Sequence, residues 1–184
     1  MRHATMQKIA EALAEQRIAT FRYNFPYSEK GSGRDSTATC VTTIRSAVAA
    51  AQKAAPDLLI LAGGHSFGGR MTSTAQSEKP IEGVKGLVFS SFPLHMPGRP
   101  DTKRAEHLSG IKIPILFLSG SRDEFLTLDL FQPIVKKLGK RATLHLIDTA
   151  NHSYKILKKT RKSDEDVFVE MARTAKEWID KNKI

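Results

Sequence analysis

Short apolar runs alternate with helical stretches along the whole 184-residue chain, and that alternation narrows the choice of fold more than any other feature. Ile18–Tyr23 reads as a strand, and Leu58–Ala62, Val84–Phe89, Ile113–Leu118 and Thr143–Ile147 are apolar runs of the kind buried in a parallel sheet. Between them, Thr42–Ala55, Phe67–Gln76 and Leu126–Leu138 have helical spacing. Asp164–Asn182 sets Val167, Phe168, Met171, Ala175, Trp178 and Ile179 on one face, with Ser163 as its N-cap. Such alternation implies a sheet between two helical layers. The expected fold is an α/β three-layer α-β-α sandwich with a mostly parallel sheet. No linker or composition shift divides residues 1–184, so one domain is expected, and Ser28–Thr39 reads as a single mobile loop.

The sharpest local signal is Gly64-His65-Ser66-Phe67-Gly68, followed by Gly69. A G-x-S-x-G match arises by chance in about one chain in twenty of this length, so its context carries the weight. Here it closes an apolar run and opens a helical one, the setting in which a serine is held on a strained turn with its hydroxyl exposed above the sheet. The competing reading is a glycine-rich turn that binds a phosphate or nothing. A serine needs a base, and the base an orienting acid. Ligands of open α/β sheets gather at the carboxyl ends of strands. Asp123 directly follows Ile113–Leu118 and its Ser119-Gly120-Ser121-Arg122 turn, and His152 follows Thr143–Ile147. The chain order Ser66, Asp123, His152 matches that of one known hydrolase arrangement. Asp148 is the alternative acid, although its place suits it better to capping the loop. His145 falls mid-strand, and His3, His95 and His107 read as surface histidines. No His, Cys, Asp or Glu set has zinc spacing, and no cofactor or metal is expected.

Composition excludes several classes. At 40% apolar and 26% charged the chain is neither disordered nor fibrous, and Cys40 alone forms no internal disulfide. No apolar run reaches membrane-spanning length and the N-terminus has no signal-peptide core, so a cytoplasmic location without membrane attachment is expected. The +10 net charge raises nucleic acid as a partner. Its two clusters, Lys136-Lys137 with Lys140-Arg141, and Lys155, Lys158, Lys159, Arg161 and Lys162, lack interleaved aromatics for base stacking. They read as solvated surface.

Together, Arg22-Tyr23-Asn24-Phe25-Pro26-Tyr27, Gly63-Gly64-His65-Ser66-Phe67-Gly68-Gly69-Arg70, Leu118-Ser119-Gly120-Ser121-Arg122-Asp123 and Ala150-Asn151-His152-Ser153 resemble the α/β-hydrolase superfamily. Within it the chain is most similar to the dienelactone-hydrolase-like branch that includes testis-expressed and histone-acetyltransferase-complex-subunit relatives. The resemblance spans essentially the whole chain. It implies Ser66 as nucleophile, His152 as general base and acid, Asp123 as orienting carboxylate, and the Phe67 amide as an oxyanion donor. Members of this family usually begin with strands that end in a His-Gly loop, the source of the second donor. Here Met6, Ile9, Ala10, Leu13 and Ala14 already have helical spacing, so the resemblance implies an N-terminally truncated hydrolase fold with half its oxyanion hole missing. One lost donor typically costs about 10²–10³ in rate. An exposed strand edge would also invite homo-oligomers.

The expected function is acyl transfer from a small ester or thioester by a serine hydrolase, with a small-molecule acyl substrate as partner. The alternative is a weak or inactive interaction protein on the same fold. Only about twenty residues, Ser91 to Gly110, precede the Ile113–Leu118 run, too few for a large lid domain. Phe92, Leu94 and Met96 are the candidate walls of an open pocket.

Overall fold

The computed structural model describes residues 3–184. β1 (Ile60–His65), β2 (Val84–Ser90), β3 (Ile115–Gly120) and β4 (Ala142–Ile147) form a wholly parallel sheet in the order β1-β2-β3-β4. The helices are α1 (Ala4–Glu15), α2 (Pro26–Lys30), α3 (Thr37–Ala54), α4 (Phe67–Glu78), α5 (Leu128–Leu138) and α6 (Val167–Asn182), and a 3₁₀ segment, Lys103–Gly110, leads into β3. Among the described residues, no helix is long and apolar enough to cross a membrane.

Side-chain alternation along β3 divides the core in two. Ile115 and Phe117 face Ile44 and Val48 of α3, Met71 and Ala75 of α4 and Phe131 of α5, while Leu116 and Leu118 face Met171, Ala175 and Trp178 of α6 and Ile9 and Leu13 of α1. Phe117 lies 5.0–5.7 Å from the rings of Phe89, Phe92 and Phe131. Burying one such ring contributes about 2–3 kcal/mol. Helices therefore cover both faces, as the alternation predicts.

Ile18–Tyr23 is not a strand. It belongs to no sheet and lines, with β1, an apolar groove of about 540 Å³ whose other walls come from α1, α3 and α6. A strand is held by a neighbour's hydrogen bonds, and among the described residues β1 pairs only with β2. Gly63 is consequently exposed in mid-strand, Phe21 is half exposed, and Leu58 and Leu59 precede β1 as exposed residues.

Three local expectations also shift. Ser28–Thr39 is not one loop, since half of it is helical: Pro26 pre-sets φ for the first position of α2, Gly31 caps it in the left-handed region (φ +64°), and the Ser36 hydroxyl accepts the Thr39 N–H at 3.1 Å to start α3. Cys40 thus lies inside α3 and is fully buried. The cap of α6 is Asp166, whose carboxylate accepts the Phe168 and Val169 N–H groups, while Ser163 accepts that of Glu165. An acid beats a hydroxyl here because it also meets the positive end of the helix dipole.

The long β4–α6 connection is pinned by Arg161. Its guanidinium donates to the carbonyls of Asp148, Ser163 and Glu165 and pairs with Glu170 at 2.5 Å. Arg161 is therefore an internal brace and not part of a cationic surface, which weakens the second lysine cluster as a phosphate-binding patch.

Candidate active site

Ser66 stands between β1 and α4 with φ +51° and ψ −117°, a conformation that costs a non-glycine residue about 1–3 kcal/mol. Strand and helix meet there at a distance only glycine permits. A Cβ on Gly64 would fall 2.9 Å from the backbone of Gly68 and Gly69, and one on Gly69 would fall 2.7 Å from the Gly64 carbonyl oxygen. Ser66 N–H donates to Ser90 O at 2.9 Å, tying the turn to β2. Its side chain is left free to project from the carboxyl edge of the sheet.

The turn after β3 and the connection after β4 bring the other two groups to that edge. His152 Nε2 lies 2.8 Å from Ser66 Oγ, and His152 Nδ1 lies 2.9 Å from each carboxylate oxygen of Asp123. Asp123 is itself fixed: Oδ1 accepts the Phe125 N–H at 2.9 Å, and its own N–H donates to Gly120 O. Both Asp123 and His152 are buried. A carboxylate facing Nδ1 holds the proton on that nitrogen, so Nε2 accepts from the serine hydroxyl. The arrangement can take a proton from Ser66 and return it. Phe67 begins α4, and its N–H, like the other first-turn amides, has no carbonyl within its own helix.

Two neighbours of His152 carry no signal in the sequence. The Phe125 ring lies 4.2 Å from the imidazole, and His65 approaches it from elsewhere at 5.3 Å, with Tyr154 6.0 Å from His65. The ring of His3, the N-cap of α1, is 6.4 Å from His65, so the N-terminal end of α1 also reaches this region. Burial, then the nearby His152 and His3, push His65 down from 6.5 to about 4. The unfolded chain therefore binds a proton at pH 6.5 that the folded chain accepts only near pH 4. Stability is expected to fall by about 1 kcal/mol per pH unit between those values on account of this group, with no further change from it below. Denaturant unfolding at several pH values checks this: His65→Gln should flatten the slope, and an unchanged slope would contradict it.

The remaining candidates are scattered. Phe92 and Leu94 are fully buried among Phe89, Phe117 and Phe131, so these two expected pocket walls are core residues; Met96 is half exposed. Their burial follows from the chain turning inward after β2, which spacing in a loop does not reveal. Asp148 accepts the Lys162 N–H and so braces its loop, and His145 pairs with Glu170 at 2.7 Å. His95 is buried, bonded to Thr127 and to Met96 O, and is no surface group. A second serine–imidazole pair, Ser73 Oγ to His107 Nε2 at 2.7 Å, is internal: Ser73 is fully buried in mid-helix and its hydroxyl donates to Arg70 O. No carboxylate completes it among the described hydrogen bonds, unlike the Ser66 arrangement. Among the described residues no group of three His, Cys, Asp or Glu side chains could hold a metal ion.

A family model described as an alpha/beta hydrolase domain matches residues 1–180. Solved structures with the same fold include an alpha-beta serine hydrolase homologue from Coxiella burnetii, 18% identical with a TM-score of 0.67 over 100% of this chain and 78% of that one. Another is a member of the alpha/beta serine hydrolases without lid from Xanthomonas campestris, at 18% identity and TM-score 0.66, covering 98% of this chain and 74% of that one. The esterase domain of a Rhodothermus marinus protein is similar at 15% identity and TM-score 0.64, over 98% and 82%.

Proposed function

This chain belongs to the alpha/beta hydrolase family, and on that premise we propose that it is a serine hydrolase that transfers the acyl group of a small ester or thioester to water. The observation that carries the reading is the unbroken hydrogen-bond chain from Ser66 Oγ through His152 to Asp123, at 2.8 and 2.9 Å. Ser66 Oγ attacks the acyl carbonyl as its proton passes to His152 Nε2; the imidazolium, stabilised by Asp123, then protonates the leaving alcohol or thiol. Water repeats the sequence on the acyl-enzyme: His152 takes its proton, the acid departs, and Ser66 regains its hydrogen.

The developing oxyanion is stabilised by the Phe67 N–H at the start of α4. First-turn amides of α1, whose N-cap His3 lies against His65, are the candidates for a second donor. The closer likeness to the dienelactone-hydrolase-like branch is supported by the Arg22–Tyr27 stretch, in which Phe25 and Tyr27 pack edge-on against Phe67 at 5.9 and 6.3 Å. A small, open substrate site in a single domain without a lid is consistent with the short β2–β3 connection, and the Xanthomonas relative is described as lidless. We assign the protein to the cytoplasm, where the lone thiol of Cys40 stays reduced.

A fluorophosphonate probe tests the reading. Stoichiometric labelling of the folded protein, lost in Ser66→Ala and retained in Ser73→Ala, is the expected result. Absence of labelling in the folded wild type, or labelling that persists in Ser66→Ala, would remove it.

A further inference from the structure

Two arginines converge on the ring of the residue that follows Ser66, and a third lies near one of them. The Arg34 guanidinium lies 4.6 Å from the centroid of the Phe67 ring and that of Arg70 lies 5.5 Å from it. Arg70 is one turn on from Ser66, its N–H donating to Ser66 O at 3.1 Å. Arg104 donates to His95 O at 3.1 Å from the segment after β2, and it is close enough to Arg70 that the two repel. Burial, then Arg104 and Arg34, hold Arg70 below its usual value. All three come from segments beyond the carboxyl edge of the sheet, the edge that carries Ser66.

Among the described residues no carboxylate lies within salt-bridge distance of any of them. Asp35, adjacent to Arg34 in sequence, accepts the Tyr27 N–H at 2.9 Å. Besides the other arginines, His107 and Cys40 are the titratable groups near Arg70: burial and Arg70 both lower His107, and burial foremost raises the Cys40 thiol, so each is held toward its neutral form. Arg161 pairs with Glu170, and Arg173 with Glu165 and Glu177, while Arg45, Arg122 and Arg141 are bonded to backbone carbonyls; Arg34 and Arg70 differ from all of these in sharing one aromatic ring. Like charges gathered without a counter-ion raise the energy of the folded state, and an arriving anion relieves that repulsion. Guanidinium groups suit this purpose because they present planar pairs of donors to carboxylate or phosphate oxygens. The Phe67 face holds two of them in place.

We propose that Arg34 and Arg70 recognise an anionic group, carboxylate or phosphate, on the substrate of Ser66. The inference deepens the hydrolase reading and rests on it for the identity of the reacting end. It narrows the substrate from any small ester to one bearing a negative charge a short distance from the scissile carbonyl.

The test compares 4-nitrophenyl hemisuccinate with the neutral 4-nitrophenyl pentanoate. The wild type is expected to favour the charged ester in kcat/KM, and Arg70→Met to reduce that preference about 30-fold, with Arg70→Lys restoring part of it. Lys136→Met, at the far end of α5, should leave the preference intact. Equal kcat/KM for the two esters in the wild type, or a preference unaltered in Arg70→Met, would overturn the proposal. Calorimetry with succinate and with inorganic phosphate separates this from failure of the hydrolase reading. Saturable binding of either ion that weakens at least tenfold in Arg70→Met supports the anion site even in a protein that hydrolyses neither ester, and no binding to the wild type sinks it. The tighter of the two ions identifies the charged group.

Discussion

Asp123→Asn is expected to lower turnover of an activated ester such as 4-nitrophenyl acetate by about 10⁴-fold while the protein stays folded. Both carboxylate oxygens lie 2.9 Å from His152 Nδ1, and Oδ1 also accepts the Phe125 N–H. The backbone donor fixes an amide oxygen at Oδ1, which turns the new NH2 group toward Nδ1. An amide N–H facing Nδ1 needs a bare nitrogen there, so the imidazole proton moves to Nε2. The nitrogen that should accept from Ser66 then carries a hydrogen. Fluorophosphonate labelling should slow in parallel, since it requires the same proton transfer. Steady-state kinetics with a thermal melt measures both sides; a loss under tenfold at unchanged melting temperature would show that Asp123 does not orient His152.

The second large effect is structural. Gly120→Ala is expected to destabilise the protein by about 3 kcal/mol and to abolish labelling at Ser66. A Cβ there would fall 2.2 Å from Ala150 O, 2.7 Å from Ala150 C and 2.9 Å from Asn151 O, all backbone atoms of the connection that delivers His152. The same connection is sewn to the β3 turn by Arg122 N–H to Ala150 O and Ser121 N–H to Ile147 O. No flexible side-chain end can give way, so the two loops must part, and the Asp123–His152 bond parts with them. At this chain length 3 kcal/mol corresponds to a fall in Tm of about 6–12 °C. A variant with wild-type Tm and full labelling would refute the account.

These two substitutions mark where sequence reasoning succeeds and where it stops. The Ser66 turn is legible because its demand is local: glycine at 64, 68 and 69 around a serine between strand and helix has few other uses. Asp123 and His152 are legible because a parallel sheet exposes the ends of its strands along one edge, so position after an apolar run predicts location. Ile18–Tyr23 misleads because its β-like composition says nothing about whether a neighbouring edge is within reach, and in this structure a groove intervenes. Phe92 and Leu94 mislead for a related reason, since apolar residues in a connection can line a mouth or close a core. His65, Phe125 and the two arginines on Phe67 could not be found from spacing at all. His65 sits in view within the motif, yet its environment is made by residues up to 89 positions away.

What the order of residues determined by itself is therefore the set of short-range decisions: which runs become strands and helices, where glycine allows a serine to be held in strain, and which polar groups end up at the carboxyl edge. The tertiary structure alone decided the distances between groups on different loops, the partial burial of His65, the division of the aromatic residues between core and surface, and the gathering of Arg34 and Arg70 on one ring. The reason is physical. Backbone preference and periodicity act over a few residues, whereas charge, burial and proton affinity depend on whatever lies within about 10 Å in space, and chain order does not specify those neighbours until the chain has folded.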